Sequence, residues 1–171
     1  MKKSFAPVAN ADARILVLGS MPGEASLRAQ QYYAHPHNLF WKFIFASAGV
    51  EFSCDYQRRI AALESLRVAL WDVLQQCRRE GSLDSSIEKD SEHPNDIAGL
   101  LARLPQVGKI CFNGQKAFSS FKMHILKTSP ELAQRYQLVV LPSTSPANAS
   151  QNYHSKFARW QHELSADKGS P

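Results

Sequence analysis

Four short runs of almost unbroken apolar residues set what this chain can fold into: RILVL at 14–18, RVALW at 67–71, KICF at 109–112 and QLVVL at 137–141. A strand with one face in water alternates apolar and polar residues, whereas runs without alternation belong to strands covered on both faces, as in a parallel sheet. Helix-like segments separate them at 38–48, around 56–65, at 94–104 and at 115–126. A last helix is expected over about 149–164, with Asn148 or Ser150 near its cap. Strands alternating with helices predict an α/β fold, a three-layer αβα sandwich around a central four-stranded parallel sheet. The 171 residues suit one domain and are too few for two of ordinary size, so 1–171 is read as one. The polar, turn-rich stretch 78–95 reads as a surface excursion, and the terminal DKGSP as a frayed tail.

Twenty basic residues against fifteen acidic ones give a formal charge of +5, which favours a polyanionic partner without requiring one. No apolar run approaches the roughly 18 residues of a membrane span, and MKKSFAPVANADAR lacks the apolar segment of a signal peptide, so a cytoplasmic protein is expected. Cys54, Cys77 and Cys111 are too few and too scattered for a disulfide framework, a CxxC pair or a four-thiolate cluster, and read as buried, reduced thiols. His35 and His37 flank a proline at a spacing that can clip a metal. No third ligand stands nearby in sequence, so a loop or substrate-positioning role outranks metal binding.

Two unusual segments follow the first and fourth strands: GSMPGEASLRAQQYYAHPHNLFW at 19–41 and LPSTSPANA at 141–149. In an open parallel sheet ligands sit outside the carboxyl ends of the strands. GSMPG supplies small and rigid residues that let backbone approach a ligand, while Ser143, Thr144 and Ser145 offer hydroxyls and N–H groups to a phosphate. An ordinary strand-to-helix turn would explain the second loop equally well. No G-x-S-x-G elbow, no phosphate-binding G-x-x-x-x-G-K-[ST] loop and no G-x-G-x-x-G occurs, so serine hydrolase, nucleotide hydrolase and dinucleotide readings fail. Tyr32, Tyr33, Asn38, His35 and His37 instead mix flat faces with amide and imidazole hydrogen-bonders, as a nucleobase pocket requires. Phe40, Trp41 and Ile44 share a helix face and are assigned mainly to the core.

The succession GSMPG, YYAHPHNLFW and LPSTSPANA resembles the uracil-DNA glycosylase superfamily, most of all its hypoxanthine (deoxyinosine) DNA glycosylase branch. The mismatch-specific uracil glycosylases, with a first loop of the type GINPG followed by FAHPxNxFW, are the relatives to compare. The resemblance runs from Arg14 to Trp160. It implies a base-stacking aromatic at Tyr33 and places the loop that holds the catalytic Asn or Asp of relatives on Ser20, Met21, Pro22 and Gly23. Met21 stands where the mismatch-specific enzymes carry a water-activating Asn, and a thioether can neither orient nor deprotonate water. The resemblance therefore moves that role to Asn38, which the residues alone would read as a helix cap before LFWKF. Asp72 falls where uracil-specific relatives read the base edge. Hypoxanthine has an N1–H donor where adenine has a bare acceptor, which a carboxylate there would distinguish; a cap for a helix beginning at Val73 is the alternative. Asn113, ending the third run, is a further base-pocket candidate.

What the resemblance implies is a monofunctional glycosylase that hydrolyses the N-glycosidic bond of deoxyinosine in double-stranded DNA, acting as a monomer with neither metal nor organic cofactor. Gly23, Ser26, His35, Ser143, Thr144 and Ser145 would hold the backbone, and Pro146 to Asn148 would enter the space the flipped base leaves. No lysine is placed by a motif to form a Schiff base, so no lyase step is expected. Two alternatives stay open: the same fold acting on uracil, and a nucleic-acid-binding protein that recognises flipped bases without cutting. The second draws on Met21 and on the lack of an evident carboxylate base.

Overall fold

The four apolar runs form one sheet. The structure, a computed structural model, describes residues 1–148 and 151–165. Its strands are β1 (Lys2–Lys3), β2 (Ile15–Gly19), β3 (Val68–Asp72), β4 (Leu74–Cys77), β5 (His93–Pro94), β6 (Lys109–Asn113) and β7 (Gln137–Leu141). The central sheet is four-stranded in the order β3-β2-β6-β7, with every neighbouring pair parallel. β2, β3 and β6 are buried along their whole length, as their unbroken apolar sequences require.

The helices are α1 (Glu24–Ala29), α2 (Phe40–Ala48), α3 (Tyr56–Ser65), α4 (Ile97–Arg103), α5 (Gln115–Phe121), α6 (Leu132–Arg135) and α7 (Tyr153–Ser165). A π-helical turn over Lys122–Leu126 continues α5. α2 packs on α3 and α7, while α5 and α6 lie against β7 and α5 also against β6. The αβα expectation holds. Trp41, Phe40, Phe43 and Phe112 are fully buried, and Trp160 of α7 joins them edge-on to Phe40 at 6.0 Å between ring centres.

The differences from the sequence reading have local causes. The run at 94–104 becomes helical only at Ile97, because His93–Pro94 pairs with β4 and the Asp96 carboxylate accepts the Gly99 N–H at 2.9 Å. The last helix opens at Tyr153 with Asn152 accepting the Ser155 N–H at 2.9 Å, so Asn152 and not Asn148 is the capping side chain. The other expected cap, Ser150, and the DKGSP tail lie outside the described residues. A second, three-stranded antiparallel sheet of β1, β4 and β5 went unforeseen, since LQQC lacks an apolar run. Cys77 and Cys111 are buried thiols as expected, whereas Cys54 is exposed on the polar segment before α3.

Candidate active site

The parallel register lines up the carboxyl ends of the strands. Gly19 pairs with Asp72 across β2 and β3, Leu18 with Phe112 across β2 and β6, and Asn113 with Leu141 across β6 and β7. Aligned positions in parallel strands share a face, so Asp72, Gly19 and Asn113 form a row. The middle position tolerates no side chain: a Cβ on Gly19 would lie 2.5 Å from Asp72 Oδ1 and 2.7 Å from the Tyr33 hydroxyl. Around this row opens a cleft of about 440 Å³, within the size range of small-molecule sites.

Tyr33 reaches the cleft from the loop after α1. Its φ of 51° lies in the left-handed region that non-glycine residues seldom adopt. The ring lies on Phe40, with 4.3 Å between centroids and 36° between planes, and among the described residues its buried hydroxyl has no partner at hydrogen-bond geometry, the Asn113 amide being near enough only to influence its charge. Burial, then the Asp72 charge, raise the Tyr33 phenol far above its ordinary range, with the Asn113 amide opposing. Asp72 is 3% exposed, and its Oδ2 has no hydrogen-bond partner. Loss of surrounding water, followed by repulsion from Asp84, pushes its carboxyl up to about 7, while Arg79 pulls the other way. No helix starts at Val73, because the chain passes directly into β4. Asp72 is therefore not a helix cap.

Asn113 is engaged at both ends. Its Nδ2 donates to Thr144 Oγ1 and its Oδ1 accepts the Thr144 N–H, each at 2.9 Å. Thr144 is fully buried, and its carbonyl accepts the Leu39 N–H at 3.1 Å, which ties the 143–148 loop to the start of α2. The Thr144 side chain is thus spent on an interior tie, in a residue that also lines the cleft. Ser26 is also buried, and its hydroxyl accepts the Ala34 N–H at 3.0 Å. It braces the loop that carries Tyr33 and His35 at the edge of the cleft. Ser143, Ser145 and Asn148 are half-buried at the cleft, Pro146 and Ala147 are exposed, and the buried Lys156 ammonium donates to the Asn148 carbonyl.

Asn38 stands at the start of α2. Its Oδ1 accepts the Phe40 N–H at 2.9 Å and so caps α2. Among the described residues its Nδ2 makes no hydrogen bond, and the residue lines the cleft. Capping uses one end of the amide and leaves the donor end open. His35 is exposed at the rim, its Nδ1 accepting the His37 N–H at 3.1 Å. Nowhere among the described residues do three or more His, Cys, Asp or Glu gather as metal ligands would.

The first loop is held by the stretch expected to be a surface excursion. Ser20 donates from Oγ to Asp84 Oδ1 at 2.6 Å, and Ser82, Leu83, Asp84 and Ser85 form one wall of the cleft. Arg79, 6% exposed, donates through Nε to the Gly81 carbonyl at 3.0 Å and through Nη2 to the Pro22 carbonyl. One guanidinium thus joins this segment to the GSMPG loop. Ser82 Oγ accepts the Glu24 N–H at 2.9 Å beside Gly23. Met21 is buried among core residues at 7% exposure, where a thioether belongs. Sequence reasoning missed Arg79 and Asp84 because REGSLD has the composition of any surface turn, and of its two neighbouring apolar residues Leu83 is exposed and Ile87 buried.

A parallel sheet with two loops at its carboxyl edge, over a cleft walled by an aromatic ring and unpaired polar atoms, can be compared with known proteins. The sequence model of the uracil DNA glycosylase superfamily matches residues 6–167. The chain belongs to this family. Over 161 residues it is 37% identical to a Methanosarcina acetivorans protein described as "Hypoxanthine DNA glycosylase", covering 92% of this chain and 96% of that one. A Methanosarcina barkeri protein of the same description is 37% identical over 148 residues, 86% of this chain and 88% of its own. A solution NMR structure from Methanosarcina acetivorans, described as a candidate uracil DNA glycosylase, superposes with a TM-score of 0.77 at 34% identity, covering 95% of this chain and 96% of that one.

Proposed function

We propose that this member of the uracil DNA glycosylase superfamily releases hypoxanthine from deoxyinosine in double-stranded DNA by hydrolysing the N-glycosidic bond. The observation that carries the reading is the buried Asp72 carboxyl, one oxygen unpaired, at the foot of an aromatic-walled cleft. Its support from comparison is the 37% identity to two proteins described as hypoxanthine DNA glycosylases.

In this reading the nucleotide leaves the duplex so that its C1′ and base edge become accessible. Tyr33, backed by Phe40, stacks on the purine, and the Asp72 carboxylate accepts N1–H. Adenine, with a lone pair at that atom, is repelled. Ser143, Ser145, the exposed His35 and the N–H groups of the Gly23 loop grip the backbone, while Pro146 to Asn148 fill the vacated stack. Bond breaking runs ahead of attack, giving an oxocarbenium-like sugar that a positioned water traps, with the Asn38 Nδ2 donating to that water's oxygen. Positioning and electrostatic stabilisation then carry most of the rate. One chain supplies every group, which supports action as a monomer.

The test is single-turnover base release from duplexes carrying inosine, uracil, xanthine or ethenoadenine. Hypoxanthine is expected to leave fastest. Release of uracil alone would move the chain to the other substrate class, and binding of inosine DNA without release of any base would make it a recognition protein.

A further inference from the structure

Building on the deoxyinosine glycosylase reading, we infer that Asp84 is a catalytic carboxylate of this site: hydrogen-bonded to Ser20, it faces the sugar of the flipped nucleotide, steadies the positive charge there and takes the proton of the attacking water.

Few other groups of the cleft can take that proton. Asn38 Oδ1 is committed to the Phe40 N–H, which leaves its amide with donors for a water but no acceptor. Asn113 spends both ends on Thr144, Met21 is a buried thioether, and Ser20 donates its own proton to Asp84. His35 has one ring nitrogen occupied by the His37 N–H and stands exposed at the rim. Three carboxylates line the cleft. Glu24 pairs with Lys2 at 3.5 Å, Asp72 lies in the strand-end row assigned to the base edge, and Asp84 stands on the wall formed by residues 82–85, with Oδ1 fixed by Ser20.

The surroundings also give the two aspartates different work. Asp84 raises Asp72, whose Oδ2 has no partner among the described residues, whereas the carboxyl of Asp84, raised by burial, is supported in its charged form by the Ser20 hydroxyl and by the Arg79 and Lys116 charges. A hydroxyl that donates to a carboxylate favours its charged form, and facing such a carboxylate a cationic sugar is stabilised electrostatically. In the step itself the C1′–N9 bond breaks and its electron pair goes to the base. The water oxygen then bonds to C1′, its proton passes to Asp84 and on to solvent, and the base takes a proton from solvent to leave as hypoxanthine.

Asp84→Asn separates charge from architecture, because the amide oxygen still accepts from Ser20. Expected is a fall of about 100-fold or more in the single-turnover rate on an inosine duplex. Affinity for a duplex carrying non-cleavable 2′-fluoro-deoxyinosine should stay level or tighten, since a negative charge facing a polyanion is gone. The thermal midpoint should not move. Ser20→Ala, which keeps the charge, should slow the enzyme far less. A rate for Asp84→Asn within about threefold of wild type would overturn the inference, as would a joint fall of rate, affinity and thermal midpoint, which would make Asp84 only a tie for the GSMPG loop. A wild-type enzyme that releases no hypoxanthine would defeat the parent reading and this one with it.

Discussion

Replacing Asp72 by Asn should make the protein gain stability relative to wild type as pH rises. In the unfolded chain the carboxyl titrates near 3.8; in the native cleft it is pushed up to about 7. Between those values the native state holds more protons than the unfolded state, so stability is fully present below about 3.8 and is lost as pH rises through about 7. At 1.36 kcal/mol per pH unit, the whole interval amounts to about 4 kcal/mol, and the part between pH 5 and pH 8 to about 3 kcal/mol. Asn does not titrate. Leaving its amide unpaired where Oδ2 now lies costs about 1–3 kcal/mol, but equally at both pH values. Urea unfolding of both proteins at pH 5 and pH 8 isolates the titrating part: the variant's stability relative to wild type should rise by about 3 kcal/mol between the two, well above extrapolation error. A relative stability that changes by less than about 1 kcal/mol would show that Asp72 does not titrate in this range and that its burial carries no such cost.

The same variant should narrow the preference for inosine over adenine in matched duplexes, because an amide can rotate to satisfy adenine's acceptor where a carboxylate cannot. Asn38→Ala should cut base release by about 100-fold or more with affinity for the 2′-fluoro-deoxyinosine duplex nearly intact, and lower stability by about 1 kcal/mol through loss of the cap on α2. Tyr33→Phe should retain activity, since the ring packed on Phe40 does the stacking and the hydroxyl has no partner; Tyr33→Ala should weaken binding of that duplex by about 1–3 kcal/mol in fluorescence anisotropy, and equal damage from both changes would make the hydroxyl the working group. Gly19→Ala should abolish base release in a folded protein, because the added methyl meets Asp72 Oδ1 at 2.5 Å; near-wild-type release would mean that the strand-end row is not the base site.

The sheet was legible because burial on both faces leaves an unbroken apolar signature, which RILVL, RVALW and KICF carry; QLVVL carries it too, although β7 is an edge strand and largely half-buried. The two loops at its carboxyl edge were legible through proline, glycine and hydroxyl residues set directly after β2 and β7. What sequence could not show was which hydroxyls and amides spend their bonding capacity inside the protein. Thr144 and Ser26 have the composition of backbone-gripping residues, yet both are buried and paired. The segment from Arg79 to Ser85 was illegible for the opposite reason. Its residues are ordinary for a surface turn, and tertiary ties such as those from Arg79 to Pro22 and from Glu24 to Ser82 hold Asp84 beside Ser20.

Those ties sort the cleft's polar groups by what they still lack. Leaving a buried polar atom unpaired costs about 1–3 kcal/mol, so folded proteins seldom do it without a reason. Ser120 in α5 shows that a buried hydroxyl without a partner also occurs away from the cleft, so an unpaired atom by itself marks no site. Convergence is the stronger sign. Asp72 Oδ2 and the Tyr33 hydroxyl are both unpaired, Asp72 Oδ1 and that same hydroxyl crowd the space a Gly19 side chain would take, and the open end of Asn38 and the carboxylate of Asp84 line the same cleft. Asn113, Thr144, Ser26 and Arg79 meanwhile spend hydrogen bonds holding those walls in place. A flat ligand with a donor on its edge and an electron-poor carbon attached would satisfy the first set without disturbing the second.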